Sequence, residues 1–265
     1  MKNNFSTPGF LWPLLTLVCL VLILAGLRAV LKRTNWEKNR QNKIFFGTVF
    51  VLVTWTGLLT ILSNNDFFAD FSKLPPRPAL AMLIPLPIII LVAFSKTGTQ
   101  LLQTVPSHWL VFMQSFRVIV ELLLLFAFMA GKLPVQMTFE GRNFDVLTGV
   151  LALPVGYLLA KKKSYASKLA IAFNIIGILL LLNILVIAVL SMPTSIRYFM
   201  NEPSNTLVGQ FPFILLPGIL VPIAYMMHIF SLRGLLTKRE LNLNKVMTQI
   251  SNDITKRETL LRNQF

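Results

Sequence analysis

The sequence predicts an all-α fold: a seven-transmembrane helix bundle with its N-terminus outside, its C-terminus inside and a cytoplasmic amphipathic C-terminal helix. Three observations predict it. Apolar residues make up 55% of the chain and charged residues 13%, and a mean hydropathy of +0.68 is more than one water-soluble core could hide. Seven apolar runs are long enough, or nearly so, to cross ~30 Å of hydrocarbon at about 1.5 Å per residue. Lysine and arginine fall mostly on one side of those runs.

The first run, Phe10 to Leu27, is longer than the apolar stretch of a secretory signal, and its positive charges, Arg28, Lys32 and Arg33, follow it. It is therefore expected to remain as an anchor that holds the next loop inside. The second, Ile44 to Leu62, lies between Lys38, Arg40 and Lys43 and the acidic Asp66 and Asp70. The third, Pro78 to Phe94, is short and interrupted by Pro85 and Pro87, whereas the fourth, Trp109 to Ala130, contains Arg117 and Glu121. The fifth, Phe144 to Ala160, is again short, holds Pro154 and ends on Lys161, Lys162 and Lys163. The sixth is Leu169 to Met192, and the seventh, Phe211 to Leu232, carries Pro212, Pro217 and Pro222 at five-residue intervals. Interior prolines free a carbonyl and kink or break a helix; transporters place binding sites at such breaks, and bundles without transport roles also contain them.

With the N-terminus outside, 18 of the 25 Lys and Arg residues lie on inner segments and 6 on outer ones, and Arg117 is within a span. Counting acidic residues, the inner face carries +14 and the outer face +1. Because Lys and Arg bias sets topology during insertion, the net charge of +15 reads as a membrane signature. The expected partner of the basic face is anionic lipid headgroup on the cytoplasmic side, and no nucleic acid.

Short linkers and the absence of an internal repeat make residues 1–233 one seven-helix transmembrane domain, with residues 234–265 as a cytoplasmic tail. In the tail, Leu236, Leu243, Met247, Ile250, Ile254 and Leu261 follow a 3.5-residue repeat interrupted by Glu240 and Arg257. Such a helix could pair with a second copy to give a homo-oligomer, lie on the bilayer, or form a loosely attached surface helix.

Arg117 and Glu121 are expected ~12 and ~18 Å below the inner boundary of the fourth span. Their i, i+4 spacing places them on one face, about a turn beyond Gln114 and Ser115, so Arg117 is expected to neutralise Glu121 within the helix. A charge near the bilayer centre costs about 2.5 to 3.5 kcal/mol, which favours a functional role; the alternative is an ion pair that sets helix rotation. Residues 136 to 145, QMTFEGRNFD, gather Glu140, Arg142, Asn143 and Asp145 around Gly141. The segment can fold back over the outer mouth and aim these groups inward, or stay solvated with Asn143 or Asp145 capping the fifth helix. The candidate substrate-binding residues are Gln114, Arg117, Glu121, Glu140, Arg142, Asn143 and Asp145. A small molecule or lipid is the expected ligand.

QSFRVIVE, residues 114 to 121, followed by MTFEGRNFD, residues 137 to 145, resembles a family of uncharacterised bacterial multi-pass inner-membrane proteins. The likeness covers residues 106 to 160, with MTFEGRNFD its most specific part. It implies a small multi-pass protein of the bacterial inner membrane, with no established reaction and no catalytic residues to carry over.

The remaining polar residues point to no cofactor. Cys19 has no intramolecular partner. His108 and His228, near the inner ends of the fourth and seventh spans, lack a third ligand and are expected to be plain hydrogen-bonding groups. Asn174, Asn183, Thr54 and Thr56 are expected to join helices. No H-E-x-x-H, G-x-S-x-G or P-loop occurs, and no lysine lies inside the seventh span to hold a retinal. Three function classes stand: binding or transport of a small solute, lipid or proton; a non-catalytic scaffold or sensor acting through the tail; and, weakest, an enzyme acting on lipid headgroups through Glu140 and Asp145.

Overall fold

The structure, a computed structural model, describes residues 9–262 of the chain. Among these residues every regular element is helical. In chain order they are α1 (Leu11–Leu31), α2 (Lys38–Asn64), α3 (Arg77–Leu83), α4 (Pro85–Phe94), α5 (Lys96–Thr104), α6 (Ser107–Met113), α7 (Phe116–Met129), α8 (Asp145–Ala160), α9 (Ala166–Leu190) and α10 (Val221–Arg262). Six stretches are long and apolar enough to cross a membrane: α1, α2, α3 with α4, α6 with α7, α9, and Leu216–Leu241. The 16-residue α8 is apolar but shorter.

The composite stretches break where the chain chemistry requires it. The third parts at Ile84, just before Pro85. The fourth, expected as one continuous helix, has a joint at Gln114 and Ser115, whose N–H groups bond three residues back to Val111 and Phe112, both at 3.0 Å. The seventh opens with a π-helical turn, Leu216–Leu220, that contains Pro217. Pro222 cannot donate to the Gly218 carbonyl, and the Trp55 indole N–H bonds that carbonyl at 2.9 Å instead. Trp55 begins the stripe by which α2 docks. One turn on, Leu59 meets Gly218, and after another Ser63 donates to the Gly209 carbonyl at 3.0 Å. The rest of α2 is largely exposed, with Phe46, Phe50 and Val53 on its open flank. Thr56 bonds the Leu52 carbonyl of its own helix and Thr54 is exposed, so neither joins helices as expected.

Small residues set the level of α8. Gly149 lies against Val118 and Gly156 against Phe112, with the fully buried Ala152 between them. A side chain at either glycine would overlap its neighbour, so this stripe lets α8 approach α6 and α7 closely. By that register Asp145 sits level with Glu121, about 12 Å short of the end of α7. Residues 131–144 descend that distance into the bundle through a 3-10 turn at Val135–Met137, burying Leu133, Gln136, Met137 and Thr138.

Two elements depart from the expected outline. The nine-residue α5 lies between the third and fourth apolar runs; it is amphipathic, capped by the Ser95 hydroxyl accepting from the Gly98 N–H at 2.9 Å, and packs beside α10. Lys238 reaches back from α10 to donate to the Val105 carbonyl at 2.6 Å. The tail is continuous with the last apolar stretch, both forming α10. Leu236, Leu243, Met247 and Ile250 are exposed along it, whereas the side chains of Ile254, Arg257 and Leu261, like residue Lys2, lie outside the described residues.

Candidate functional site

Arg117 and Glu121 do share a buried face of α7, each 2% exposed, but Arg117 does not pair with Glu121. Its Nε donates to Asp145 Oδ2 at 3.0 Å and its Nη2 to Asp145 Oδ1, forming a two-point salt bridge to the first residue of α8. The guanidinium fork matches a carboxylate presented edge-on by a neighbouring helix. Nη1 lies 2.9 Å from His228 Nε2 on α10. Arginine only donates, so Nε2 must accept and the imidazole proton sits on Nδ1, 2.9 Å from Asn174 Oδ1 on α9. Asn174 then donates to Ser231 at 2.9 Å and to the Ala170 carbonyl at 2.7 Å. One charge thus ties α7, α8, α9 and α10 together.

Glu121 is held separately. Asn143 Nδ2 donates to its Oε1 at 2.6 Å and to the Met137 carbonyl at 3.1 Å, and Asn143 Oδ1 accepts from the Asp145 N–H at 3.1 Å. Asn143 therefore opens α8 and positions Glu121 at once. The second carboxyl oxygen, Oε2, is buried without a hydrogen-bond partner. Glu121 also lines a cavity of about 80 Å³, whose walls are apolar side chains such as Val120, Leu124, Leu181, Leu216 and Leu220, with Arg117, Glu121, Asn143 and Asp145 as its polar residues. That volume exceeds what a single water needs. Since Arg117 and Asp145 balance, Glu121 is either the surplus negative charge of the site or, protonated, a free donor.

The other candidate residues divide. Gln114 is fully buried at the joint of the fourth stretch, where Nε2 donates to the Ala224 carbonyl at 3.0 Å and Oε1 has no partner. It does not line the cavity. Of the Glu140 to Asp145 segment, Asn143 and Asp145 turn inward, while Glu140 and Arg142 are exposed; Arg142 lies over the Phe199 ring at 5.3 Å and its carbonyl accepts from Asn183 at 3.0 Å. Glu140 and Asp145 consequently do not face a common site. His228, expected near the end of its span as an ordinary polar group, is wholly buried at the centre of the network, and the absence of a side chain on Gly177 makes room for its ring. Its signal in the sequence was a lone imidazole on an otherwise apolar run, with Asn174 and Gly177 one turn apart on the preceding stretch. Among the described residues, no group of three His, Cys, Asp or Glu side chains could hold a metal ion.

No curated protein and no solved structure matches the chain. Residues 76–236 match a domain of unknown function (DUF8737), a range that runs from the turn before α3 into α10 and contains every residue of the Arg117 network and the Glu121 cavity. With well over half its length in that match, the chain belongs to this family.

Proposed function

We propose that the chain is a seven-crossing protein of the bacterial inner membrane, N-terminus outside and C-terminus inside, that binds or moves a small solute or proton at the Glu121 cavity. The positive-inside distribution of charge supports the orientation, and α8 serves as the short fifth crossing. Its polar N-terminus lies deep because protein side chains satisfy the chain that leads to it.

The observation that carries the reading is that Glu121, a residue lining the cavity, keeps its buried Oε2 without a hydrogen-bond partner. A buried polar group without a partner costs about 1–3 kcal/mol, more when charged, and membrane interiors keep such groups for function. A cation, a hydrogen-bond donor or a proton would complete it. Arg117 has no acceptor, so no proton passes through it toward His228. Exchange at Glu121 therefore runs through the cavity, and the Arg117 network braces its walls. Glu121→Gln is expected to abolish a ligand- or pH-dependent response of the protein in liposomes while expression and melting temperature stay close to wild type. Loss of folding instead would make Glu121 a structural group.

A second reading, a scaffold or sensor, is favoured by one feature: α10 continues far beyond the last apolar stretch and leaves Leu243, Met247 and Ile250 exposed.

A further inference from the structure

A second hollow adjoins the cavity beside Glu121. A crevice of about 360 Å³ runs between α3, with the residues just before it, and α9. It shares the wall residues Ala79, Met82, Leu185 and Val189 with the cavity, and α3 and α9 make no extended packing contact, so the two hollows adjoin along one seam. At the outer rim Leu74, Leu83, Val186 and Ile196 are exposed. Every side chain along the crevice is apolar; the polar groups Glu121 and Asn143 lie at the far end of the path.

We propose that this seam is a lateral entrance from the bilayer, and that its occupant is a single-chain amphiphile with a cationic amine head. The head would sit at Glu121 Oε2, and the alkyl chain would lie between α3 and α9. This inference rests on the reading that Glu121 binds an occupant. Charge complementarity selects the head. Arg117 is engaged by Asp145 through two contacts, which leaves Glu121 without a countercharge; an ammonium supplies one, whereas an anionic head would face two carboxylates. The shape and lining of the path select the tail. A wholly polar solute would find no hydrogen-bonding side chain along the crevice, while a chain already dissolved in lipid exchanges one apolar surface for another.

The test uses the full chain in lipid nanodiscs with two photoreactive probes of equal chain length, diazirine-bearing hexadecylamine and the matching alcohol, and crosslinked peptides are read by mass spectrometry. Ethylamine is added separately, with the Glu121 carboxyl band followed by infrared difference spectroscopy against Glu121→Gln. The amine probe is expected to label residues 74–83 and 185–196, with labelling about tenfold lower in Glu121→Gln and in Ala79→Trp, which fills the junction. Val186→Trp, at the exposed rim, obstructs the entrance without entering the core and is expected to lower labelling as well. If ethylamine perturbs Glu121 but both plugged variants label like wild type, the lateral entrance is overturned and the Glu121 site stands. Equal labelling by the alcohol overturns the cationic head. If ethylamine leaves the Glu121 band unchanged and the amine probe labels Glu121→Gln like wild type, the binding site itself falls.

Discussion

Arg117 keeps its charge inside an apolar bundle because Asp145 takes two of its N–H groups and His228 a third. Removing one partner leaves the other buried and unpaired, which costs about 3–5 kcal/mol, whereas removing both with apolar replacements of similar size costs far less. Arg117→Met and Asp145→Leu are each expected to lower the melting temperature in detergent strongly, and the double variant to recover much of the loss. Additive losses would show that the two side chains act independently. Asn143 is a different kind of residue, since its Oδ1 takes the first N–H of α8 while its Nδ2 orients Glu121. The sequence placed Arg117, Glu121, Asn143 and Asp145 among the candidates but paired the wrong two. Spacing along one helix sees only i, i+4 neighbours, and the better partner came from a helix 28 residues away.

The bundle is positioned at the element scale by where side chains are missing. Gly177 on α9 and Gly149 and Gly156 on α8 each leave room for a specific neighbour, whereas Gly47 on α2 faces open space. Gly177→Ala would press a methyl group into the His228 ring, which is held at both nitrogens, and is expected to destabilise by about 1–3 kcal/mol. Gly47→Ala is expected to be neutral or stabilising by up to about 1 kcal/mol, because it only removes unfolded-state freedom in a helix interior. Paired thermal melts in detergent check the contrast; equal shifts would refute it. The apolar runs were legible because hydropathy over ~20 residues is a local sum. The joint at Gln114 and the helix α5 were not, since one follows from packing and the other from a short amphipathic period beside α10.

The family match gives the molecule a centre and a periphery. Residues 76–236 hold the site, while α1, α2 and the distal part of α10 lie outside it. Truncation after Arg239 is therefore expected to leave folding and the Glu121 response intact, as measured in liposomes. If a partner is lost in a pull-down while that response persists, the tail has a separate scaffolding role; loss of the response would tie the tail to the site. What the sequence determined by itself was the class of object: helices, their approximate limits, and the buried polar residues that needed explaining. Those follow from transfer free energies that add residue by residue. Which of those residues meet, that Glu140 and Arg142 turn away, that His228 stands at the centre, and that Glu121 lines a hollow with one carboxyl oxygen unpartnered were decided only by tertiary structure. Such facts depend on the register between helices, and glycines distant in the chain set that register.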